Sequence, residues 1–228
     1  FRNATELDPA FAAPHAGIAL VDFFRIARAL TDDPAGALAE MSREAAQAVA
    51  LDPNEPLGHT ALGLNFRERG EYSHSFAEHE VAIALNPNSS LARWSFGFCL
   101  EWGDRLEEAL QQFELALRLS PKDPGTWSYL TLKASTLYQL GEYAQAAKCA
   151  DDAIRHPAAE LLWAYTYLAA SLAQLQCFDE AAAAVSELLR RRPTWSLSAC
   201  WSLMRNRHRS EQAVRHVLAG LRKAGLPE

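Results

Sequence analysis

The residues of this 228-residue chain that could ligate a metal or transfer a proton are seven histidines, four cysteines and several pairs of acids. His74 and His79 are five positions apart, which places them on different faces of a helix and not in one ligand set. The paired acids Glu107 and Glu108 fall in a predicted first helical turn, where the helix dipole stabilises them without a catalytic role. The sequence also lacks phosphate-binding loops, dinucleotide-binding glycine motifs, zinc-protease helices and nucleophile elbows. We therefore expect no catalysis, no metal and no cofactor.

A second set of residues could bind a partner through apolar contact. Trp94, Phe98 and Trp102 follow an i, i+4, i+8 spacing, so one helix would carry three large rings on a single face. We call these three residues the aromatic stripe. The rings either stay exposed and contact a ligand in a groove, or they pack in the core against neighbouring helices or against an added C-terminal helix.

The composition excludes several classes of protein. Apolar residues make up 49% of the chain and charged residues 22%, and no apolar run approaches the roughly 20 residues that a membrane-spanning helix needs. The cysteines (Cys99, Cys149, Cys177 and Cys200) are more than twenty residues apart, which argues against a zinc knuckle or a redox pair. A basic-then-apolar leader pattern is not seen. We expect reduced thiols and a cytoplasmic protein.

Prolines recur through the chain at a nearly constant interval. Pro53, Pro87 and Pro121 are 34 residues apart, and Pro157 and Pro193 follow at intervals of 36. The apolar residues between them have a helical period, and each interval has room for two helices. Since proline stops a helix, each repeat is predicted to be a helix–turn–helix unit that ends just before its proline.

This pattern resembles the tetratricopeptide repeat (TPR), a 34-residue unit with aromatic, small and proline residues at fixed positions. The resemblance implies an all-α, right-handed superhelical solenoid of helix–turn–helix repeats with a C-terminal capping helix. It also implies tight helix crossings at Gly63, Gly97, Ala134 and Ala169. The matching positions are His59, Leu62, Gly63, Phe66, Ser75, His79, Ala82 and Pro87, then Arg93, Phe96, Gly97, Leu100, Ala109, Phe113, Ala116 and Pro121.

The predicted organisation is a repeat array over 1–195 followed by basic capping helices over 196–228. The first repeat is ten residues too long, and the excess is expected near Asp33, which can cap a helix that starts at Pro34. Because residues 1–9 match the end of a further repeat, we expect the chain to be part of a longer protein. The repeats are predicted at about 10–53, 54–87, 88–121, 122–157 and 158–193.

The TPR resemblance further implies that the first helices of the repeats line a concave groove. The groove is expected to be apolar, because the Lys and Asn that clamp a carboxylate in some TPR domains are replaced by Thr60 and Leu64. The expected occupant is a protein or peptide segment, which could be another domain of the same parent, and a homodimer is compatible with the sequence. The predicted groove residues are Leu64, Arg67, Glu68, Leu91, Trp94, Phe98, Glu101, Trp102, Thr131, Ser135 and Tyr138.

The C-terminal end is basic and the rest of the chain is acidic. Residues 190–223 carry nine Lys or Arg against Glu211 alone, whereas the remainder has 13 basic and 27 acidic residues. Such an end could meet nucleic acid or an anionic surface, or it could pair with the acidic array. The last option is favoured, so neither nucleic acid nor membrane insertion is expected. The predicted basic patch is Arg190, Arg191, Arg192, Arg205, Arg207 and Arg209.

Three short phrases give a narrower resemblance. "LRLSPKDP", "RRRPTWSL" and "GLRKAGLPE" are similar to the C-terminal TPR region of bacterial signalling proteins that carry a class III adenylate or guanylate cyclase domain. The resemblance implies a non-catalytic interaction or regulatory module at the end of a larger protein. Two alternatives remain: a regulatory domain of a transcription factor with its basic end near nucleic acid, or a self-association module.

Overall fold

The computed structural model describes residues 1–28, 30–156, 161–205 and 210–228. Within these ranges every regular element is an α-helix, which confirms the predicted all-α fold of helical repeats. None of these helices is long and apolar enough to cross a membrane. The helices are α1 (Arg2–Leu7), α2 (Ala12–Ala27), α3 (Pro34–Leu51), α4 (Pro56–Glu68), α5 (Tyr72–Leu85), α6 (Ser90–Trp102), α7 (Leu106–Leu119), α8 (Thr126–Gln139), α9 (Tyr143–Ile154), α10 (Leu161–Gln174), α11 (Phe178–Arg191), α12 (Leu197–Arg205) and α13 (Glu211–Lys223).

The ends of the second helices follow from the recurring prolines. A proline disfavours the helical conformation of the residue before it. Asp52, Asn86 and Ser120 accordingly leave the helix, with φ between −144° and −138°, one residue before their prolines. Arg192 does the same before Pro193. The predicted role of Pro157 lies outside the described residues.

In four helical pairs, the turn between the two helices contains a residue in the left-handed conformation. Glycine takes this place in two pairs, at Gly70 (φ 76°) and Gly141 (φ 82°). Asp104 (φ 60°) and Gln176 (φ 63°) take it in two others. The left-handed region disfavours any residue with a Cβ, so these two turns are strained relative to the glycine turns.

The chain forms two compact units, of which the first is Phe1–Leu100. In it, α2 packs on α3 and α4, and α4 packs on α5. The ring of Phe1 covers Gly17 of α2, where a Cβ would have no room. The Asp33 side chain accepts a hydrogen bond from the Gly36 amide (2.9 Å) and caps α3, which begins at Pro34 as the sequence predicted.

Consecutive repeats in this unit are also joined through the proline carbonyls. In three repeats, the side chain six residues after the proline contacts the proline's carbonyl oxygen. The two histidines among them also contact a glutamate on the following second helix. The contacts are His15 Nε2 to Pro9 (3.2 Å), His59 Nε2 to Pro53 (2.9 Å), Arg93 Nε to Pro87 (3.1 Å), His15 Nδ1 to Glu44 (2.6 Å) and His59 Nδ1 to Glu78 (2.7 Å).

The second unit is Glu101–Glu228. Helices α7 to α11 pack in sequence, each on the next, around a core that includes Tyr138, Tyr167 and Leu188. Helix α13 does not extend this order, since it packs against α10 and α8, two first helices, as well as against α12. The amide of Leu197, which begins α12, donates a hydrogen bond to the carbonyl of Pro227 (2.8 Å) and fixes the end of the segment.

Candidate functional site

A glycine lies at the predicted crossing of α4 and α5. A Cβ on Gly63 would overlap the imidazole of His79, so α4 and α5 approach each other closely only because this residue is glycine. Gly97, Ala134 and Ala169 are buried as well. Gly63 thus sets the distance between α4 and α5, while tight crossings at the other three positions stay predictions.

Helix α6 places the aromatic stripe on one face, as the spacing predicted, but the rings are not exposed. Trp94 has 5% of its surface accessible, and Phe98 and Trp102 have 7% each. The sequence left open whether these rings are exposed or packed in the core, and the structure buries all three. Whether they contact a partner stays a prediction, and their burial favours the core interpretation.

In the first unit the rings are covered by α2. Phe24 stacks on Trp94 with 6.0 Å between ring centroids. Phe23 meets the edge of Trp94 at 6.4 Å and of Phe98 at 6.3 Å. Phe23 and Phe24 lie 14 and 15 residues after Pro9, the same register that Arg67 and Glu68 have after Pro53. The side chains at two groove positions of the first repeat thus fill the space between α2 and α6, which are both first helices.

Arg67 belongs to the same buried cluster. Its guanidinium carbon lies 3.7 Å from the centroid of the Phe98 ring, which is a close cation–π contact. The side chain also forms an ion pair with its neighbour Glu68. Leu64 is completely buried, and Leu91 is half-buried. Most of the predicted groove residues of this unit are therefore buried in its interior.

In the second unit the structure brings two predicted groove residues together. The Ser135 hydroxyl donates a hydrogen bond to the carboxylate of Glu101, and both side chains are buried. The hydroxyl of Thr131 donates to the carbonyl of Trp127, one turn back in α8 (2.8 Å). These hydrogen bonds fix the Ser135 and Thr131 hydroxyls on the groove side of α8.

Tyr138, the last predicted groove residue, lies against a helix. Its hydroxyl donates a hydrogen bond to the main-chain carbonyl of His216 in α13 (3.0 Å), and the two rings are 4.7 Å apart. Burial raises the pKa of Tyr138 to about 12, so the hydroxyl keeps its proton and remains a donor. The groove side of α8 is therefore occupied by the chain's own C-terminal helix.

Gly220 sets how closely α13 approaches. A Cβ at this position would overlap the Tyr138 hydroxyl and lie 3.1 Å from the Cβ of Ala170 and 3.2 Å from its carbonyl oxygen. The apolar residues of α13 are buried around it. They are Val214, Val217, Leu218 and Leu221. The sequence had predicted this apolar face, but not the contact made by Gly220.

Polar side chains lie at the edge of the surface of α8 and α10 on which α13 packs. Gln174 of α10 donates to the Tyr138 hydroxyl (3.1 Å) and accepts a hydrogen bond from Lys223 (2.8 Å). The Tyr143 hydroxyl lies 3.1 Å from Nε2 of His216. Burial, together with the nearby charge of Lys223, lowers the pKa of His216, which favours the neutral ring at this contact.

The predicted basic patch is partly neutralised. Arg190 and Arg191 both form ion pairs with Glu187, one turn earlier in α11. Arg191 also lies 5.1 Å from the Tyr165 ring centroid. Arg192 is exposed, and Arg205 lies 5.9 Å from the Trp201 centroid. The predicted Arg207 and Arg209 lie outside the described residues. Among the described arginines of the predicted patch, the charges of Arg190 and Arg191 are therefore offset by Glu187.

His79 and Cys99, which are titratable, lie together in the interior of the first unit. Burial lowers the pKa of His79 to about 4 and raises that of the Cys99 thiol to about 12. His79 Nδ1 donates to the Ser75 carbonyl (2.7 Å), and the ring stacks on Phe96 at 5.6 Å. A neutral thiol and a neutral imidazole without access to solvent are packing residues.

Comparison with solved structures identifies the fold. The protein is similar to PilF of Pseudomonas aeruginosa, with 16% identity over 94% of this chain and 89% of that chain and a TM-score of 0.67. It is similar to PilW, described as a type IV pilus biogenesis factor, with 14% identity over 90% and 92% and a TM-score of 0.65. A third is YrrB, described as a TPR protein with an unusual peptide-binding site, with 17% identity over 79% and 90% and a TM-score of 0.57.

These likenesses confirm the predicted TPR fold. At these identities they show the fold alone. No family model matches the sequence. No curated protein matches it either.

Proposed function

We propose that the chain is a non-catalytic protein-interaction module that binds a helical segment of a partner on the groove side of its first helices. The proposal depends on the observation that α13 packs on α8 and α10, where the Tyr138 hydroxyl donates a hydrogen bond to its main chain. This surface has the shape and the hydrogen-bond donors needed to hold a helix. Laying an amphipathic helix in a groove is a common mode of recognition.

The proposal places partner binding in the second unit. The predicted groove residues of the first unit are packed against Phe23 and Phe24. A ligand there would have to displace buried aromatic rings, which is costly because each ring buries a large apolar area. The description of YrrB as a peptide-binding TPR protein supports the class of ligand, although the two chains share only 17% identity.

Site-specific photo-crosslinking tests this function. A photo-reactive amino acid at Gln139, beside the start of α13, should capture a partner polypeptide in extracts of the source cells. The same group at exposed Glu107 of α7 serves as the control and should not. Equal capture at both positions, or capture at neither, would contradict the proposal. So would hydrolysis or cyclisation of ATP or GTP by the purified chain that is lost on substitution of one of its residues.

The wider setting stays a prediction from sequence. We propose a cytoplasmic location and a parent protein of the bacterial adenylate or guanylate cyclase type, supported by the reduced state expected for the cysteines and by the three short phrases described above. The upstream reading frame of the gene tests the second point directly. A cyclase domain there would support it, and a winged-helix domain would favour the transcriptional alternative.

A further inference from the structure

We infer that the α8–α10 face selects partner helices that carry glycine at the place of Gly220, and that α13 is a resident occupant with which such helices compete. The inference rests on the proposed function, because it names the class of segment that the module would bind. Its basis is the chemistry of the contacts that α13 makes with the two first helices.

The first observation is that two side chains of α8 donate hydrogen bonds to main-chain carbonyls of α13. Tyr138 donates to the carbonyl of His216 at 3.0 Å, and Gln139 donates to the carbonyl of Ala213 at 3.5 Å. Every helix presents carbonyl oxygens along its surface, so these donors require a helix but not a particular side chain. A helix of different sequence could accept the same two hydrogen bonds.

The second observation is a steric limit at one position. The space next to Gly220 is closed by the Tyr138 hydroxyl and by the main-chain carbonyl of Ala170, which would be 3.2 Å from an added Cβ. A main-chain atom within α10 cannot move aside as a flexible side chain can. The face therefore favours glycine at this point, because a larger residue would have to displace the Tyr138 hydroxyl and push α13 away from α10, and this makes Gly220 the specificity-determining position of the occupant.

The third observation concerns the charges of α13. Arg215 pairs with Glu211 and Arg222 with Glu228, all within the C-terminal segment. Lys223, by contrast, reaches Gln174 of α10 at the edge of the contact. The helix is thus held on α8 and α10 mainly through apolar burial and main-chain hydrogen bonds. A competing helix needs the same apolar pattern and the glycine, but not the same cationic residues.

The test uses the full chain and a synthetic peptide of residues 210–228. Gly220→Leu in the chain should unseat α13 and open the face, while Ala219→Leu, on the exposed side of the same turn, is the matched control. By fluorescence anisotropy the peptide should bind the Gly220→Leu chain at least about tenfold more tightly than the wild-type or Ala219→Leu chain, because resident α13 reduces the open fraction. A peptide with leucine at the place of Gly220 should not bind.

Each result bears on the inference. If the Gly220→Leu chain is unstable, the added peptide should raise its melting temperature, and Gly220→Ala provides a milder variant for the same titration. Failure of the peptide to bind or to stabilise either variant overturns the inference. Equal binding to the wild-type chain also overturns it, because α13 would then not be a competitor. Both results leave the crosslinking test of the proposed function unaffected, so the two can fail separately.

Discussion

The ring of Phe24 in α2 lies nearly parallel to the indole of Trp94 in α6, at an interplanar angle of 22°. The two residues come from the first and third repeats, so the contact joins two helices that are far apart in the sequence. Side chains at groove positions of one repeat therefore serve as core for another. This explains why a regular aromatic spacing that could have indicated a ligand site is instead buried.

The Phe24–Trp94 contact can be measured by a double-mutant cycle. Trp94→Ala should lower the free energy of unfolding by about 3–5 kcal/mol, because it leaves a cavity in a packed aromatic cluster. The coupling energy with Phe24→Ala should be about 0.5–1.5 kcal/mol, as found for aromatic pairs. Urea denaturation checks both values. Leu30→Ala, at an exposed position of the same unit, is the control and should have little effect.

Trp102→Ala separates the two interpretations of the aromatic stripe at its C-terminal end. Since Trp102 is buried, we expect a loss of stability of about 3–5 kcal/mol. Thermal denaturation and capture of the crosslinked partner should be measured on the same preparation. A variant that melts like the wild type but no longer captures the partner would show that this ring contacts the ligand.

His79 should make stability depend on pH. Its pKa is about 4 in the folded chain, below the ordinary value of 6.5, so the unfolded chain binds more protons between these values. The stability that comes from keeping the ring neutral is complete above pH 6.5 and is lost as the pH falls towards 4. The loss from this group should be on the order of 3 kcal/mol.

A series of urea denaturations between pH 7 and pH 4 tests this effect. His79→Phe, which retains an aromatic ring beside Phe96, should show a shallower decline than the wild type over that interval. The carboxylates titrate in both proteins and cancel in the difference. Parallel declines would show that His79 does not contribute.

Gln176→Gly should stabilise the second unit. Gln176 has φ of 63°, and this left-handed conformation costs a residue with a Cβ roughly 1–2 kcal/mol. Glycine removes that strain, although it loses more entropy on folding, so the net gain should be about 0.5–1 kcal/mol. Asp104→Gly is the comparison, with a smaller gain expected because aspartate visits this region more readily. A destabilised Gln176→Gly chain would contradict the argument.

Much of the fold could be predicted because its signals are local. The prolines and the residues before them determine where second helices end, and glycine at position 63 determines a close crossing. The burial of the aromatic stripe was harder to predict from the sequence. The positions of Phe23 and Phe24 relative to Pro9 could have indicated it, because they place two more aromatic rings at groove positions of the first repeat. The sequence left open that an added C-terminal helix packs against the first helices, but it could not predict that α13 packs on α8 and α10. An amphipathic pattern shows that a helix has an apolar face but not which surface covers that face.

The return of α13 to α8 also changes how the second unit should fold. In a simple repeat array each unit contacts only its neighbours, so stability is a sum of local terms and repeats can unfold one at a time. The hydrogen bond from Tyr138 to His216 joins residues 78 positions apart, so the C-terminal helix contacts a repeat that is not its neighbour in the chain. Loss of α9 or α10 would then also release α13. We expect the second unit to unfold in one cooperative transition and to fold more slowly than an open array of the same length, since its long-range contact must form across a large loop.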